Sequence, residues 1–490
     1  MIYYKNECDF LDYEFEDVLK LFFLKDELQK TEGPWEQISG AFLFCYMYTD
    51  EQQVAVIKIS LKSDDFDEAI SLPVPCQSDK LMLKALKRAF KRKLFLMLQK
   101  YTGKVIPWGV MTGIRPAKLA NELIDQDLDK KHILETLVKD YYVTDNKASL
   151  LYEVAMNQRE LFRTSDDKSV SLYIGIPFCP TRCLYCSFSS STLRQYRNSV
   201  DTYIATLMKE ITHTGDLLKQ KKLKIESIYI GGGTPTSIDS NQLDRLLKGI
   251  EDQLDLSALK EYTLEAGRPD TIDAQKLKVI RSSSVSRISI NPQSMNAATL
   301  ERIGRNHTPA EVETAFYMAR ELGFDNINMD VICGLPGENV DIFEQTMNKL
   351  AQLKPDSITV HTMALKRASR LALEIDAYNL HKEYEQSAEM VDLARKYALN
   401  MGLEPYYLYR QKNILGNLEN VGYSKKEKEC LYNIQIMEER QSIFACGAGA
   451  VTKIVFPESR IERAFNVKSV EEYIGRIDEM LQRKEQLVLD

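Results

Sequence analysis

The chain has no apolar run near the ~18 residues that a bilayer-crossing helix needs, so no helical membrane span is expected. Cysteine is sparse, nine in 490 residues, which rules out a disulfide-stapled scaffold. Positive charge is not in excess. Sixty-four Lys and Arg against 71 Asp and Glu leave a formal net charge of −7, and a general nucleic-acid-binding surface is not expected. The opening residues Met1 to Phe10 lack the basic-then-apolar order of a secretory signal. Internal repeats and low-complexity tracts are also missing. These absences leave a cytoplasmic chain with material for two or three domains, in a compartment that keeps thiols free.

The most informative residues are the cysteines of Ile176-Pro-Phe-Cys179-Pro-Thr-Arg-Cys183-Leu-Tyr-Cys186, spaced Cys-x3-Cys-x2-Cys. Thiolates hold 4Fe–4S clusters, normally one on each iron. Three leave one iron open, and an open metal position marks a catalytic site. That iron can bind the amino and carboxylate groups of S-adenosylmethionine. The alternatives are three packed thiols, a zinc site or a Cys-x2-Cys redox pair. A redox pair does not need Cys179, and tetrahedral zinc wants a fourth ligand that is not nearby.

Residues 1–165 read as a separate α+β domain, with strands near 40–47 and 53–59 and a basic helix over 80–95. Lys84, Lys87, Arg88, Lys91 and Arg92 share one face of that helix, either solvated or facing a polyanion or anionic lipid. The turn-rich Pro107 to Pro116 is distinctive but dictates no chemistry. After a charged linker at 163–169 the pattern becomes strand, turn, helix, repeated. Strands are expected at 171–176, 227–230, 262–265, 287–290, 326–332 and 357–361. Such crossovers build a parallel sheet with helices outside, either open or part of a barrel. The site then lies where the strands end. The cysteines follow strand one, Gly231-Gly-Gly-Thr-Pro-Thr236 follows strand two, and Glu265 ends strand three. Gln293 follows strand four, while Asp330 and Ile332 end strand five. One rim collects every unusual group.

Each has a plain role beside the chemical one. The glycines make a tight turn, or bare backbone that a ligand ammonium can approach. Glu265 is costly at the end of an apolar strand unless a basic side chain or a cationic ligand meets it. Arg305 suits a carboxylate. Asp330 can accept from ribose hydroxyls, and the Ile332 to Pro336 stretch offers an apolar ledge for adenine. Cys333 reads as a packed thiol.

Over residues 170–455 the chain resembles the radical S-adenosylmethionine superfamily, in its oxygen-independent coproporphyrinogen III dehydrogenase group. The resemblance rests on Tyr173-Ile-Gly-Ile-Pro-Phe-Cys179, Gly231 to Thr236, Asn291-Pro-Gln293, Gly304-Arg305-Asn306-His307 and Asp330 to Gly337. Thr112-Gly-Ile-Arg-Pro116 and Glu265-Ala-Gly-Arg-Pro-Asp270 point to the HemZ type. Phe188 stands where the HemN type has a further cysteine. Tyr432 to Met437 lacks the histidine and tryptophan of the corresponding HemW phrase.

The resemblance implies a partial (β/α)6 barrel at 166–365, the N-terminal α+β domain at 1–165, and a mainly helical, substrate-covering region at 366–490. It implies a 4Fe–4S cluster on Cys179, Cys183 and Cys186. It also implies one or two S-adenosylmethionine molecules against Tyr173, Gly232, Gly233, Thr234, Glu265, Gln293, Arg305, Asp330, Ile332, Ala364 and Val451. The implied reaction turns propionates of coproporphyrinogen III into vinyl groups; haem delivery of the HemW type is the second reading. Implied partners are a tetrapyrrole and an electron donor such as a flavodoxin or ferredoxin. Arg268, Arg367, Arg370 and Arg410 are candidate partners for the propionates.

Overall fold

The computed structural model describes residues 1–23, 27–31, 40–74, 80–162, 166, 168–186, 191–364, 369, 371, 380–411, 417–457 and 460–489. Phe188, Arg367, Arg370 and much of the 163–169 linker lie outside them. Two compact units emerge, one of residues 1–114 and 122–152, the other of 115–121 and 153–490.

The first unit begins with β1 (Ile2–Asn6), α1 (Asp12–Phe22), β2 (Leu28–Lys30), β3 (Ala41–Thr49), β4 (Ala55–Lys62), β5 (Asp67–Pro73) and α2 (Lys80–Thr102). Along the chain helices α3 (Ala117–Ile124), α4 (Lys130–Tyr141) and α5 (Asp145–Phe162) follow; α4 belongs to this unit, while α3 and α5 are each divided between the two. The strands form one sheet in the order β2-β1-β3-β4-β5. Phe15, Val18, Leu19 and Phe22 recur at helical spacing along α1, and they are buried in one core with Leu43, Ile57, Ile59, Phe90 and Leu94. Three of the five cations on the basic face of α2 are answered within this unit, while Lys84 and Arg88 are exposed. Lys87 pairs with Glu14 at 3.1 Å, Lys91 with Asp17 at 3.4 Å and Arg92 with Asp140 at 3.3 Å.

The second unit carries β6 (Ser169–Ile176), β7 (Phe178–Cys179), β8 (Ser191–Thr192), α6 (Leu193–Tyr196), α7 (Val200–Gln220), β9 (Lys224–Gly232), α8 (Ser240–Gln253) and β10 (Glu261–Gly267). It continues with α9 (Ala274–Arg281), β11 (Arg287–Ile290), α10 (Ala297–Arg302), α11 (Pro309–Glu321), β12 (Ile327–Cys333), α12 (Val340–Leu353) and β13 (Ser357–Thr362). Each expected strand is present. Helix starts follow local chemistry: Thr308 and Glu311 close a capping box ahead of α11, with Pro309 in its first turn.

The strands β13-β12-β11-β10-β9-β6 are parallel neighbours in a row that, among the described residues, stays open. The C-terminal region supplies α13 (Leu380–Asn400), α14 (Leu431–Glu438), α15 (Val470–Gly475) and α16 (Ile477–Leu489). It also supplies strands that the sequence reading did not mark: β14 (Glu404–Tyr409), β15 (Asn420–Ser424), β16 (Ile443–Cys446), β17 (Val451–Val455) and β18 (Ile461–Phe465). These flank the row on both sides, β15 antiparallel to β13 and β16 parallel to β6. Behind β16, the fully buried Glu210 of α7 accepts from Gly447 N at 2.8 Å and Lys484 Nζ at 2.8 Å, fixing the glycine turn at 447–449.

Candidate functional site

Side chains alternate along a strand, so residues two apart face the same side. Tyr229 and Gly231, Thr263 and Glu265, Asn328 and Asp330, and Thr359 and His361 are such pairs. At least one of each pair lines a single cavity of about 370 Å³ at the C-terminal ends of the parallel strands. Cys179, Cys183, Cys186, Gly232, Gly233, Thr234, Gln293, Arg305, Ile332 and Ala364 line it too. Tyr173 stands just behind: a Cβ on Gly232 would lie 3.2 Å from its hydroxyl. Val451, the first residue of β17, is not among the lining residues.

The cysteine loop is tied to the rim from several sides. Gly233 N donates to Ile176 O at 2.7 Å and Thr234 N to Phe178 O at 2.8 Å. Leu184 N reaches Ile303 O at 3.0 Å, and Thr181 Oγ1 reaches Gly304 O at 3.2 Å. Arg268, a candidate propionate partner, lines the cavity and also braces this loop. It donates to the Thr181 hydroxyl at 2.8 Å, pairs with Asp270 at 2.7 Å and approaches Cys183 Sγ at 3.9 Å. Arg410 is likewise buried, with its guanidinium on Asn417 O at 2.7 Å.

Glycine is required in the 231–233 run for lack of room. A Cβ on Gly231 would stand 2.7 Å from the Tyr229 ring. One on Gly233 would stand 2.6 Å from the Phe178 carbonyl and 3.0 Å from Cys179 Sγ. Gly233→Ala should therefore push the loop off its seat, costing about 1–3 kcal/mol and lowering iron retention. Melting temperature and bound iron per chain check this, with Gly475→Ala, whose Cβ meets nothing within 4 Å, as the control.

Glu265 has no Lys or Arg ion pair among the described residues. It accepts a hydrogen bond from the Tyr229 hydroxyl, and Tyr173, Tyr432, Asp330 and His361 are the other titratable groups around it. Burial pushes its carboxyl up to about 7; nearby Asp330 adds to this, and the Tyr229 and Gly232 hydrogen bonds oppose it. Burial also works against Asp330. His361, with Nε2 at 3.7 Å, and Asn328, with Nδ2 at 2.7 Å, still hold that carboxyl below its usual range. Two carboxylates on one wall thus have opposite tendencies.

Gln293 adopts φ 65°, knitted to β12 through Asp330 O at 2.9 Å and Ile332 N at 3.0 Å. Its buried amide oxygen has no partner among the described residues, and neither has Arg305 Nε. Arg305 Nη2 meets the Tyr185 hydroxyl at 3.0 Å. Ile332 packs with Leu184, Leu335 and Met363 as the apolar ledge. Cys333 is buried, as a packed thiol should be. Burial and the charge of Arg305 push His307 down to about 4, so it stays neutral between Arg305 and Asp270.

Thiols in no disulfide, bare glycine backbone, a carboxylate with no Lys or Arg ion pair among the described residues and orphaned polar atoms around one cavity fit a cluster with a zwitterionic nucleoside ligand. No three His, Cys, Asp or Glu side chains among the described residues converge as a cage for one metal ion. Thiolates that each hold a different iron do not need to converge so tightly. Sequence reasoning missed Tyr185, Tyr229, Asn328, His361, Tyr407 and Asn433, all lining residues. The period of two would have found Tyr229, Asn328 and His361; Asn433 gives no local signal.

Residues 173–350 match the radical SAM superfamily. The oxygen-independent coproporphyrinogen-III oxidase-like protein HemZ of Bacillus subtilis is 40% identical over 84% of this chain and 82% of its own length. The heme chaperone HemW of the same organism is 32% identical over 63% of this chain and 76% of its own. The solved structure of the Escherichia coli radical SAM enzyme HemN, coproporphyrinogen III oxidase, aligns over 66% of this chain and 73% of its own, with a TM-score of 0.50 at 22% identity. It shares the fold. With 4Fe–4S cluster and S-adenosylmethionine as its cofactors, the chain belongs to the radical SAM superfamily, in the oxygen-independent coproporphyrinogen oxidase-like group of HemN and HemZ.

Proposed function

We propose that this chain oxidatively decarboxylates propionate side chains of coproporphyrinogen III to vinyl groups, giving protoporphyrinogen IX. What carries the reading is the joining of the three cysteines with Glu265, Gln293, Arg305 and Asp330 around one cavity. When bound, the cofactors supply a carbon radical able to take hydrogen from a propionate arm. The substrate then loses carbon dioxide and one electron to an acceptor, leaving a vinyl group.

In this reading Cys179, Cys183 and Cys186 hold the cluster and Glu265 receives the ligand ammonium. Arg305 takes its carboxylate and Asp330 its ribose hydroxyls. Gln293 fixes the orientation, while Ile332 and Ala364 cover the base. Tyr407, Tyr409, Asn420, Asn433 and Met437, all from 366–490, line the same cavity, which supports a substrate-facing role for that region. A one-electron carrier such as a flavodoxin or ferredoxin is the partner.

The test is anaerobic incubation of reconstituted protein with coproporphyrinogen III, S-adenosylmethionine and a reductant. The expected product has lost carbon dioxide and two hydrogens per converted propionate, together with 5′-deoxyadenosine. The HemW relative motivates the second reading, haem delivery. Stable haem binding and transfer with an unchanged porphyrinogen would establish that one instead.

A further inference from the structure

Arg115 of the Thr112 to Pro116 turn is not a lining residue of the cavity, yet it is joined to its wall. It donates to the carboxylate of Glu439, the residue that caps α14 just past its end in left-handed conformation at φ 52°. Lys453 at 3.1 Å and Arg463 at 3.1 Å meet the same carboxylate, and Lys453 also reaches Ile436 O at 3.4 Å. Three cations thus gather where the helix dipole favours them. At the other end, Glu261 accepts from Leu431 N and lies 3.1 Å from Cys430 Sγ. Eight residues cannot hold a helix alone, so α14 lies where these two clamps and the packing of Tyr432 and Ile434 against Tyr406, Tyr407 and Ile443 hold it.

Between the clamps, Asn433 and Met437 reach the cavity. Tyr432 stacks on Tyr229 with centroids 4.6 Å apart and planes 24° from parallel, and Tyr229 carries the hydroxyl bonded to Glu265. We propose that Arg115 is a positioning residue for the S-adenosylmethionine site, acting through Glu439 and α14 on the Tyr432–Tyr229–Glu265 chain of contacts. This rests on the reading of Glu265 as the receiver of the ligand ammonium.

The test compares Arg115→Ala, Arg115→Lys, Tyr432→Ala and the Arg115→Ala/Tyr432→Ala double variant of the full, anaerobically reconstituted chain. S-adenosylmethionine affinity is measured across pH, alongside iron content and melting temperature. Expected are unchanged iron, affinity reduced about 5- to 10-fold in Arg115→Ala, and a displaced pH midpoint for binding. Lysine should restore part of the loss, since it keeps the charge but not the fork. The double variant should bind no more weakly than the worse single one, because both act through one element. A lower melting temperature with unaltered affinity and midpoint overturns the proposal and leaves a structural brace; so do additive losses. Should Arg115→Ala not fold, Arg115→Lys and Glu439→Gln are read by the same criteria. Glu265→Gln tests the underlying reading separately. If that variant binds like wild type, the reading of Glu265 fails and the relay with it. If it weakens binding while the Arg115 variants do not, only the relay fails.

Discussion

Replacing Cys179, Cys183 or Cys186 by alanine is expected to abolish S-adenosylmethionine cleavage and strip nearly all iron from the reconstituted chain. The reason is stoichiometric: with three thiolates for four irons, one is already open, and removing another exposes a second iron to water and reductant. The fold should survive. Cys179 and Cys186 are only half-buried, and the loop keeps its backbone hydrogen bonds to Ile303 and Gly233. Wild type should hold about four irons per chain. Cys333→Ala serves as the matched control, losing a packed thiol in the core but no iron. Cys430→Ala and Cys446→Ala should keep iron too, being fully buried thiols away from the loop. Iron and sulfide counts, with visible absorbance under argon, are enough to decide. A triple Cys→Ala variant holding as much iron as wild type would overturn the cluster assignment.

Local pattern made the parallel row legible, because each of its strands is an apolar run bounded by a turn and a helix. The rim position of Glu265, Gln293 and Asp330 follows from that order alone. The strands contributed from 404–465 were not legible for a physical reason. β16 pairs with β6 although some 270 residues intervene, and short strands gain their stability from such neighbours rather than from their own sequence. The Tyr229–Tyr432 stack is equally non-local. Arg268 shows the opposite difficulty. The sequence marks it only as a candidate anion partner; that it lines the cavity while Asp270 two residues on and the Thr181 hydroxyl hold it emerges only in the fold. The basic stripe on α2 was similarly ambiguous until Glu14 and Asp17 proved to face it.

Glu265→Gln is expected to weaken S-adenosylmethionine binding by at least tenfold and to remove its pH dependence around neutrality. In the folded chain the Glu265 carboxyl sits at about 7, against 4.5 for an ordinary glutamate. A cationic ligand needs the ionised form. Affinity should therefore climb about tenfold per unit as pH rises toward about 7, then level off. Binding below that pH should release a proton. The window to read is about pH 5.5 to about 7, because the ligand's own α-amino group has its midpoint at about 8 and is already partly neutral at about 7.5. His361 faces the same cavity and holds the Glu265 carboxyl down a little, so His361→Gln should keep the rise with pH, its midpoint moved upward, if Glu265 carries it. Stability should move the other way. A carboxyl raised by folding stabilises the chain below about 4.5 and loses that contribution as pH climbs through about 7. Without ligand, Glu265→Gln should then gain in melting temperature over wild type as pH passes from about 5 to about 8. A variant that binds less well yet melts higher at alkaline pH is the mark of a charge kept for a ligand. Equal affinity and equal melting temperature at both ends of that range would mean that Glu265 meets no cation.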